Sequence, residues 1–273
     1  MVRMLGKDRA KGVAVVTGGA GGMGSACAVK LAAEGWDALL LCDIHLDRLE
    51  AVAAPLRAGG ASVEVLAGDI ADPDFPAAIV AALAGRPISA LIHTAGISPT
   101  MGDAARILEV NLDATVRLVD GLRDAMAPGS AAVLYSSNSA NFPTPPEAAA
   151  AFTRPLPPGG AAALLHLAST PNLAYPLSKL GVRALVKREA KSFGARGARL
   201  VSISPGAIDT AMTRDEVPNS EAAQRMIRES AMGRMGRPEE LAAVSVFLCS
   251  PDASFVTATD WLVDGGHAAA LGF

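Results

Sequence analysis

The sequence predicts one α/β domain, a doubly wound parallel sheet flanked by helices. Three observations predict it: short apolar, β-branched runs alternate with helix-like segments, the alternation continues to a last strand-like run ending at residue 263, and neither an internal repeat nor an interdomain linker breaks it. With 273 residues, 51% of them hydrophobic, the chain can bury one large core.

The first strand is Val13–Thr17, VAVVT, and the glycines behind it lead into the helix-like MGSACAVKLAAEG. A strand at 38–42, a helix over Leu46–Ala58, a strand at 62–67, a helix at 75–83 and a strand over Ile88–His93 extend the pattern. A long helix over 104–126 and a strand at 131–135 follow. Such alternation builds βαβ units, because two parallel strands need a crossover and a helix supplies it. The stretch 138–171 is rich in Ala, Pro and Gly; since regular elements resume behind it, an inserted excursion is expected there instead of a linker. Those elements are a helix at 173–193, a strand at 199–203, a variable segment over 209–232, a helix at 239–249 and a last strand at 261–263.

Composition removes several functions. The net charge of −3 comes without a long basic run, so neither a nucleic acid nor an anionic membrane is expected as partner. The polar N-terminus lacks the apolar stretch of a signal peptide, and no run approaches the roughly 20 apolar residues of a membrane span. Three scattered cysteines, Cys27, Cys42 and Cys249, suit core packing in a reducing cytosol, so a cytoplasmic location is expected. The four histidines, His45, His93, His166 and His267, have no ligand spacing, and no metal is expected.

The run TGGAGGMG, Thr17 to Gly24, stands between a predicted strand and a predicted helix, where a phosphate-binding turn belongs. Glycines there allow positive φ and close backbone approach, so Gly18, Gly21, Gly22 and Gly24, with Met23, are read as holding a pyrophosphate at the positive end of the helix. Asp43 ends the second strand, where its carboxylate can accept both ribose hydroxyls of adenosine; together these predict a Rossmann-type dinucleotide site. A carboxylate repels a 2′-phosphate, Ile44 and His45 add no strong positive charge, and Arg48 falls on the following helix, so NAD is expected over NADP.

Tyr175 and Lys179, four apart in AYPLSKLGV, share one face of a helix. A phenol with a pKa of roughly 10 is a weak base at neutral pH, and an adjacent ammonium lowers that value. With the glycine turn, this pair resembles the short-chain dehydrogenase/reductases, in the short-subunit branch with Thr-Gly-x-x-x-Gly-x-Gly and Tyr-x-x-x-Lys. The resemblance runs from Val13 to Gly266. It implies that Asp69 and Ile70 hold adenine, and that Ala95 and Gly96, in HTAG, match the end of the family's Asn-Asn-Ala-Gly. His93 and Thr94 depart from that pattern, which puts local hydrogen bonds between strands in question. Asn111 matches the asparagine whose helix distortion supports a water-linked proton path toward the lysine. In SPGAIDT, the resemblance implies that Pro205 and Gly206 border the cofactor and that Ile208 and Thr210 contact the nicotinamide carboxamide. The catalytic serine is assigned to Ser137, the second of the pair in VLYSSNSA; Ser136 alternates to the other face of the strand, and Ser139 is the fallback.

The implied reaction interconverts a secondary alcohol and a ketone with NAD. Tyr175 moves the hydroxyl proton, Lys179 lowers the phenol pKa and binds the nicotinamide ribose, and Ser137 orients the substrate oxygen. The separation of Ser137 from Tyr175 resembles a smaller group, the hydroxysteroid dehydrogenase/carbonyl reductases, in which a long insertion favours a dimer over a tetramer. Phe142, Phe152 and Leu164 to Leu167 in the insertion, and Met212, Val217, Met226 and Met232 behind Asp209, are candidate walls for a hydrophobic, cyclic or steroid-like substrate. The alternative is an NAD(H)-sensing regulatory protein on the same fold. The extended branch of nucleotide-sugar epimerases has a different glycine spacing.

Overall fold

The computed structural model describes residues 9–142, 146–156, 159–270 and 272. Its frame is a seven-stranded, wholly parallel sheet in the order β3-β2-β1-β4-β5-β6-β7. The strands are β1 (Val13–Thr17), β2 (Ala38–Asp43), β3 (Val63–Ala67), β4 (Ile88–His93), β5 (Met126–Tyr135), β6 (Arg199–Pro205) and β7 (Asp260–Val263). All five residues of β1 and all six of β4 are buried, as central strands covered on both faces must be. Alternate side chains serve opposite layers: Val13 and Val15 pack into one core, Ala14 and Val16 into the other.

One layer holds α1 (Gly22–Ala33), α2 (Leu46–Ala58) and α10 (Pro238–Cys249), and buries all of Leu31, Leu49 and Leu248 against the sheet. The other holds α3 (Phe75–Ala82), α5 (Ala114–Leu122) and α7 (Pro171–Gly194), centred on Ile79, Leu118 and Phe193. From β1 the chain winds outward to β3, then returns to lay β4 on the other side of β1. That reversal opens a crevice beyond the carboxyl ends of β1 and β4, the place where open α/β sheets bind ligands.

The long helix expected over 104–126 is divided. It comprises α4 (Ala104–Leu108), a π turn at Glu109–Asp113, α5 and a 3₁₀ turn at Arg123–Ala125. Met126 already pairs with Ile88, so β5 begins five residues before the expected strand at 131–135, despite Pro128 and Gly129. Residues 127–130, with Gly129 at φ +82°, bulge out between the Ile88–Met126 and Ala90–Ala131 pairs, so the strand keeps the Pro-Gly turn as an irregularity in its register. The variable segment 209–232 is largely helical, with α8 (Ala211–Glu216) and α9 (Glu221–Glu229). A short C-terminal helix, α11 (His267–Ala270), follows β7.

The excursion over 138–171 has order of its own: a 3₁₀ turn at Asn138–Asn141, α6 (Pro146–Ala151) and a 3₁₀ turn at Gly160–Leu164, with 143–145 and 157–158 outside the described residues. Phe152 and Leu164, two of the candidate substrate walls, are buried in a core cluster. They are buried with Ile107, Leu108 and Leu112 of the α4 region and with Ala174 and Leu177 of α7. Gly181 makes this packing possible, since a Cβ there would lie 2.7 Å from Leu112 and 3.0 Å from Phe152. The Asp113 carboxylate accepts the Ala161 amide at 3.1 Å and pins the excursion to the π turn. In the 209–232 segment Met232 is 58% exposed, Val217 and Met226 are half-buried, and the Met212 side chain lies outside the described residues.

Candidate active site

The turn after β1 is made of backbone. Gly18 has φ +73°, and a Cβ on it would lie 2.7 Å from the Ala95 amide nitrogen; one on Gly24 would lie 2.1 Å from the Gly18 carbonyl oxygen. Only glycine fits where the β1 and β4 ends and the start of α1 converge. The resulting cleft, about 610 Å³, is walled by Gly18, Gly21, Gly22, Met23, Gly24, Asp43, Ile44, Asp69, Ile70, Ala95, Gly96 and Thr210, all marked from the sequence. Pro205, Gly206 and Ile208 lie in the neighbouring β6–α8 segment and are not part of its wall. That segment closes back on the glycines, because a Cβ on Gly22 would meet the Thr210 side chain at 2.8 Å.

The Asp43 carboxylate is held at the end of β2 by two amides, Ala20 N–H at 3.1 Å and His45 N–H at 3.3 Å. Asp69 accepts the Ala71 amide at 2.8 Å and the Arg106 guanidinium at 2.7 Å. Burial works to raise the Asp69 carboxyl, and the amide and guanidinium outweigh it, holding the group below its usual range. Two cations missed as site residues also line the cleft. Arg106 reaches it from α4 while paired with Asp69 and Glu109, and Arg48 reaches it because α2 starts at Leu46 and turns its first turn toward Asp43. The capping residue Asp103 signals the start of α4, but no local pattern signals the ion pair across 37 residues.

Tyr175 and Lys179 share a face of α7, with the Lys179 Nζ 5.6 Å from the Tyr175 ring centroid. Lys179 is buried and donates to the Tyr135 carbonyl at 3.1 Å; burial pushes its pKa down to about 8. Asn111 sits in the π turn. Its Oδ1 accepts the Ile97 amide at 2.8 Å, and its Nδ2 donates to the Ile97 carbonyl at 2.9 Å and to Ser178 Oγ at 3.4 Å. Asn111 Oδ1 and Lys179 Nζ both flank Gly96, where a Cβ would stand 3.0 Å from one and 3.4 Å from the other.

The three serines have separate tasks. Ser136 turns away and donates to the Lys179 carbonyl at 2.9 Å, locking β5 to α7. Ser137 Oγ accepts from the Ser139 amide at 3.2 Å and the Ser139 hydroxyl at 3.0 Å. Its own hydrogen is left to donate. Chemically, the arrangement combines a dinucleotide-sized cleft, a buried ammonium beside a phenol, and an oriented hydroxyl.

The strand bonds placed in question by His93 are present in another form: its ring bridges Thr17 Oγ1 at 2.6 Å and Thr115 Oγ1 at 2.9 Å. Cys27, Cys42 and Cys249 are buried free thiols. Among the described residues no helix is long and apolar enough to cross a membrane.

A family model described as short chain dehydrogenase matches residues 12–149, and one described as Enoyl-(Acyl carrier protein) reductase matches 162–268. The chain is 33% identical to a galactitol 2-dehydrogenase (L-tagatose-forming) of Cereibacter sphaeroides, over 93% of this chain and 94% of that protein. It is 31% identical to 3beta-hydroxysteroid dehydrogenase 1 of Eggerthella lenta, over 95% and 94%, and 30% identical to a cyclohexanol dehydrogenase of an Acinetobacter species, over 93% and 94%. A solved short-chain dehydrogenase/reductase from Serratia marcescens superposes with a TM-score of 0.77 at 25% identity, covering 96% of this chain and all of that one. One from Brucella melitensis, described as a glucose/ribitol dehydrogenase, gives 0.76 at 26%, covering 96% and 99%.

Proposed function

The chain belongs to the short-chain dehydrogenase/reductase family, a family of oxidoreductases, and from that premise we propose that it interconverts a secondary alcohol and a ketone with NAD, on a hydrophobic cyclic substrate. The observation that carries the reading is the buried Lys179 ammonium 5.6 Å from the Tyr175 ring, beside the dinucleotide-sized cleft. NAD, when bound, supplies the hydride acceptor at its nicotinamide ring. The residues fit it: a glycine turn at the positive end of α1 suits a pyrophosphate, and the amide-held Asp43 suits ribose hydroxyls.

In this reading Tyr175 takes the alcohol proton as its phenolate, a form the neighbouring ammonium stabilises by lowering the phenol pKa, and as the phenol it returns that proton in reduction. Ser137 donates its free hydroxyl hydrogen to the substrate oxygen and steadies the charge that develops there. Lys179 and Asn111 hold the two sides of Gly96, next to the cofactor cleft. Asp43 favours NAD because a 2′-phosphate would bring negative charge against it; Arg48, on the same rim, is the residue that opposes this preference. Relatives named for cyclohexanol and a 3beta-hydroxysteroid support a ring alcohol, and galactitol, named in another, is the open-chain rival. The excursion over 138–171 buries the α4 and α7 face within its own chain, which supports a dimer over a tetramer.

The test follows the NADH absorbance band for the wild type and Tyr175→Phe, with NAD or NADP and a panel holding cyclohexanol, a hydroxysteroid and galactitol. Turnover with NAD on ring alcohols is expected, and Tyr175→Phe should lose it by roughly a thousandfold or more while still binding NADH. NADH binding without turnover on any alcohol or ketone would favour the regulatory reading.

A further inference from the structure

We propose that His93 is a positioning residue: through Thr115 it braces the π turn around Asn111, and with it the pocket that holds the Lys179 ammonium. The inference rests on the reading of Lys179 given above.

Hydrogen-bond counting sets the direction of the chain of contacts. The Thr115 hydroxyl donates its one hydrogen to the Asn111 carbonyl at 2.9 Å, so it must accept from His93 Nε2, 2.9 Å away. Nε2 therefore carries the imidazole hydrogen. His93 Nδ1 is left as acceptor for the Thr17 hydroxyl at 2.6 Å. The path runs Thr17 to His93 to Thr115 to the Asn111 carbonyl, from the end of the cofactor strand into the helix distortion. There the Ala114 amide bonds the Glu109 carbonyl five residues back. The Thr115 hydroxyl gives the Asn111 carbonyl a fixed donor inside that widened turn.

Asn111 passes the constraint on. Its amide grips both backbone groups of Ile97 and reaches Ser178, the residue before Lys179, and its Oδ1 shares the Gly96 backbone with the Lys179 Nζ. A switch to imidazolium would reverse the Nδ1 bond, and burial, then the Lys179 charge, push the His93 pKa down to about 3. The same donor pattern is thus kept over the whole working pH range. Among the described residues, the Tyr175 ring and the Tyr135 carbonyl face Lys179, Asn111 Oδ1 stands on the other side of the Gly96 backbone, the His93 ring feels its charge, and burial accounts for its lowered pKa. If His93 served only to stitch β1 to β4, the Thr17 contact would suffice. The arm to Thr115 leads away from the sheet.

The test compares wild type, Thr115→Val, Thr115→Ser, His93→Leu and the Thr115→Val/His93→Leu double variant. One readout needs no turnover: the titration midpoint of Lys179, followed by NMR in enzyme with ¹⁵N-labelled lysine, expected near 8 in the wild type. The other is the pH profile of kcat with NAD and an alcohol. Thr115→Val and His93→Leu are expected to move the Lys179 midpoint in the same direction by about half a unit or more and to lower kcat roughly fivefold or more, with KM for NAD little changed. Because the two residues act in series, the double variant should be no worse than the worse single, and Thr115→Ser, which keeps the hydroxyl, should restore both readouts. A folded Thr115→Val with midpoint and kcat unmoved overturns the proposal, as do multiplicative losses in the double variant. If His93→Leu does not fold, the two Thr115 variants decide alone. A wild type that turns over no alcohol, yet whose Lys179 midpoint still moves in Thr115→Val, sinks the oxidoreductase reading and leaves the positioning role standing.

Discussion

The cleft beyond β1 and β4 and the excursion over 138–171 are built in opposite ways. The cleft is walled by backbone, where Gly18, Gly22 and Gly24 let neighbouring segments approach more closely than any side chain would allow. The excursion is held by side chains, with Phe152 and Leu164 sunk against α4 and α7 and Asp113 pinning Ala161. A backbone site tolerates almost no substitution, whereas a side-chain patch loses stability in proportion to what is removed. Changes in the first should reach the cofactor, and changes in the second should reach the fold.

The largest contrast is expected from Gly24→Ala, whose Cβ would stand 2.1 Å from the Gly18 carbonyl. The turn must shift, and the NADH dissociation constant, read by fluorescence titration, should rise by about a thousandfold. An unchanged constant would mean the cleft is not the dinucleotide site. Phe152→Ala should instead cost about 3 kcal/mol in denaturant unfolding, with kcat/KM altered only a few-fold. A collapse of activity in a stable Phe152→Ala protein would return that residue to the substrate wall. Asp43→Ala probes the cleft more finely: KM for NAD should rise about tenfold while NADP, now met by Arg48 alone, gains in relative use. Equal losses for both cofactors would break the NAD assignment.

How much was legible follows the same division. The strand–glycine–helix run, Asp43 at its strand end and the Tyr175/Lys179 pair are local patterns, and the structure brings them to one end of the sheet. Phe152 and Leu164 read as equally good pocket or core residues, because an apolar side chain carries no mark of what it packs against. Arg48 was set aside as a residue of the following helix and Arg106 was not marked, for the related reason that a helical cation shows what it faces only in three dimensions.

The last expected effect is absent at neutral pH and grows only on acidification, because it concerns acid stability. His93 is neutral in the folded protein, with its pKa pushed from 6.5 to about 3, so the unfolded chain takes up the extra proton in that window. The stability of the neutral form is complete above 6.5 and is lost as pH falls toward 3, with a slope of about one proton. His93→Gln should remove that slope in pH-dependent unfolding curves; a slope that persists would place the proton elsewhere.

By itself the sequence determined the order of strands and helices, the glycine turn and the one-turn spacing of phenol and ammonium, since each depends on neighbours in the chain. Tertiary structure decided the rest. The π turn at Asn111, the early start of β5 opposite Ile88 and the path from Thr17 through His93 to Thr115 arise where separate segments meet. Local propensity cannot specify them, because a buried polar group takes its partner from whatever the fold has packed beside it.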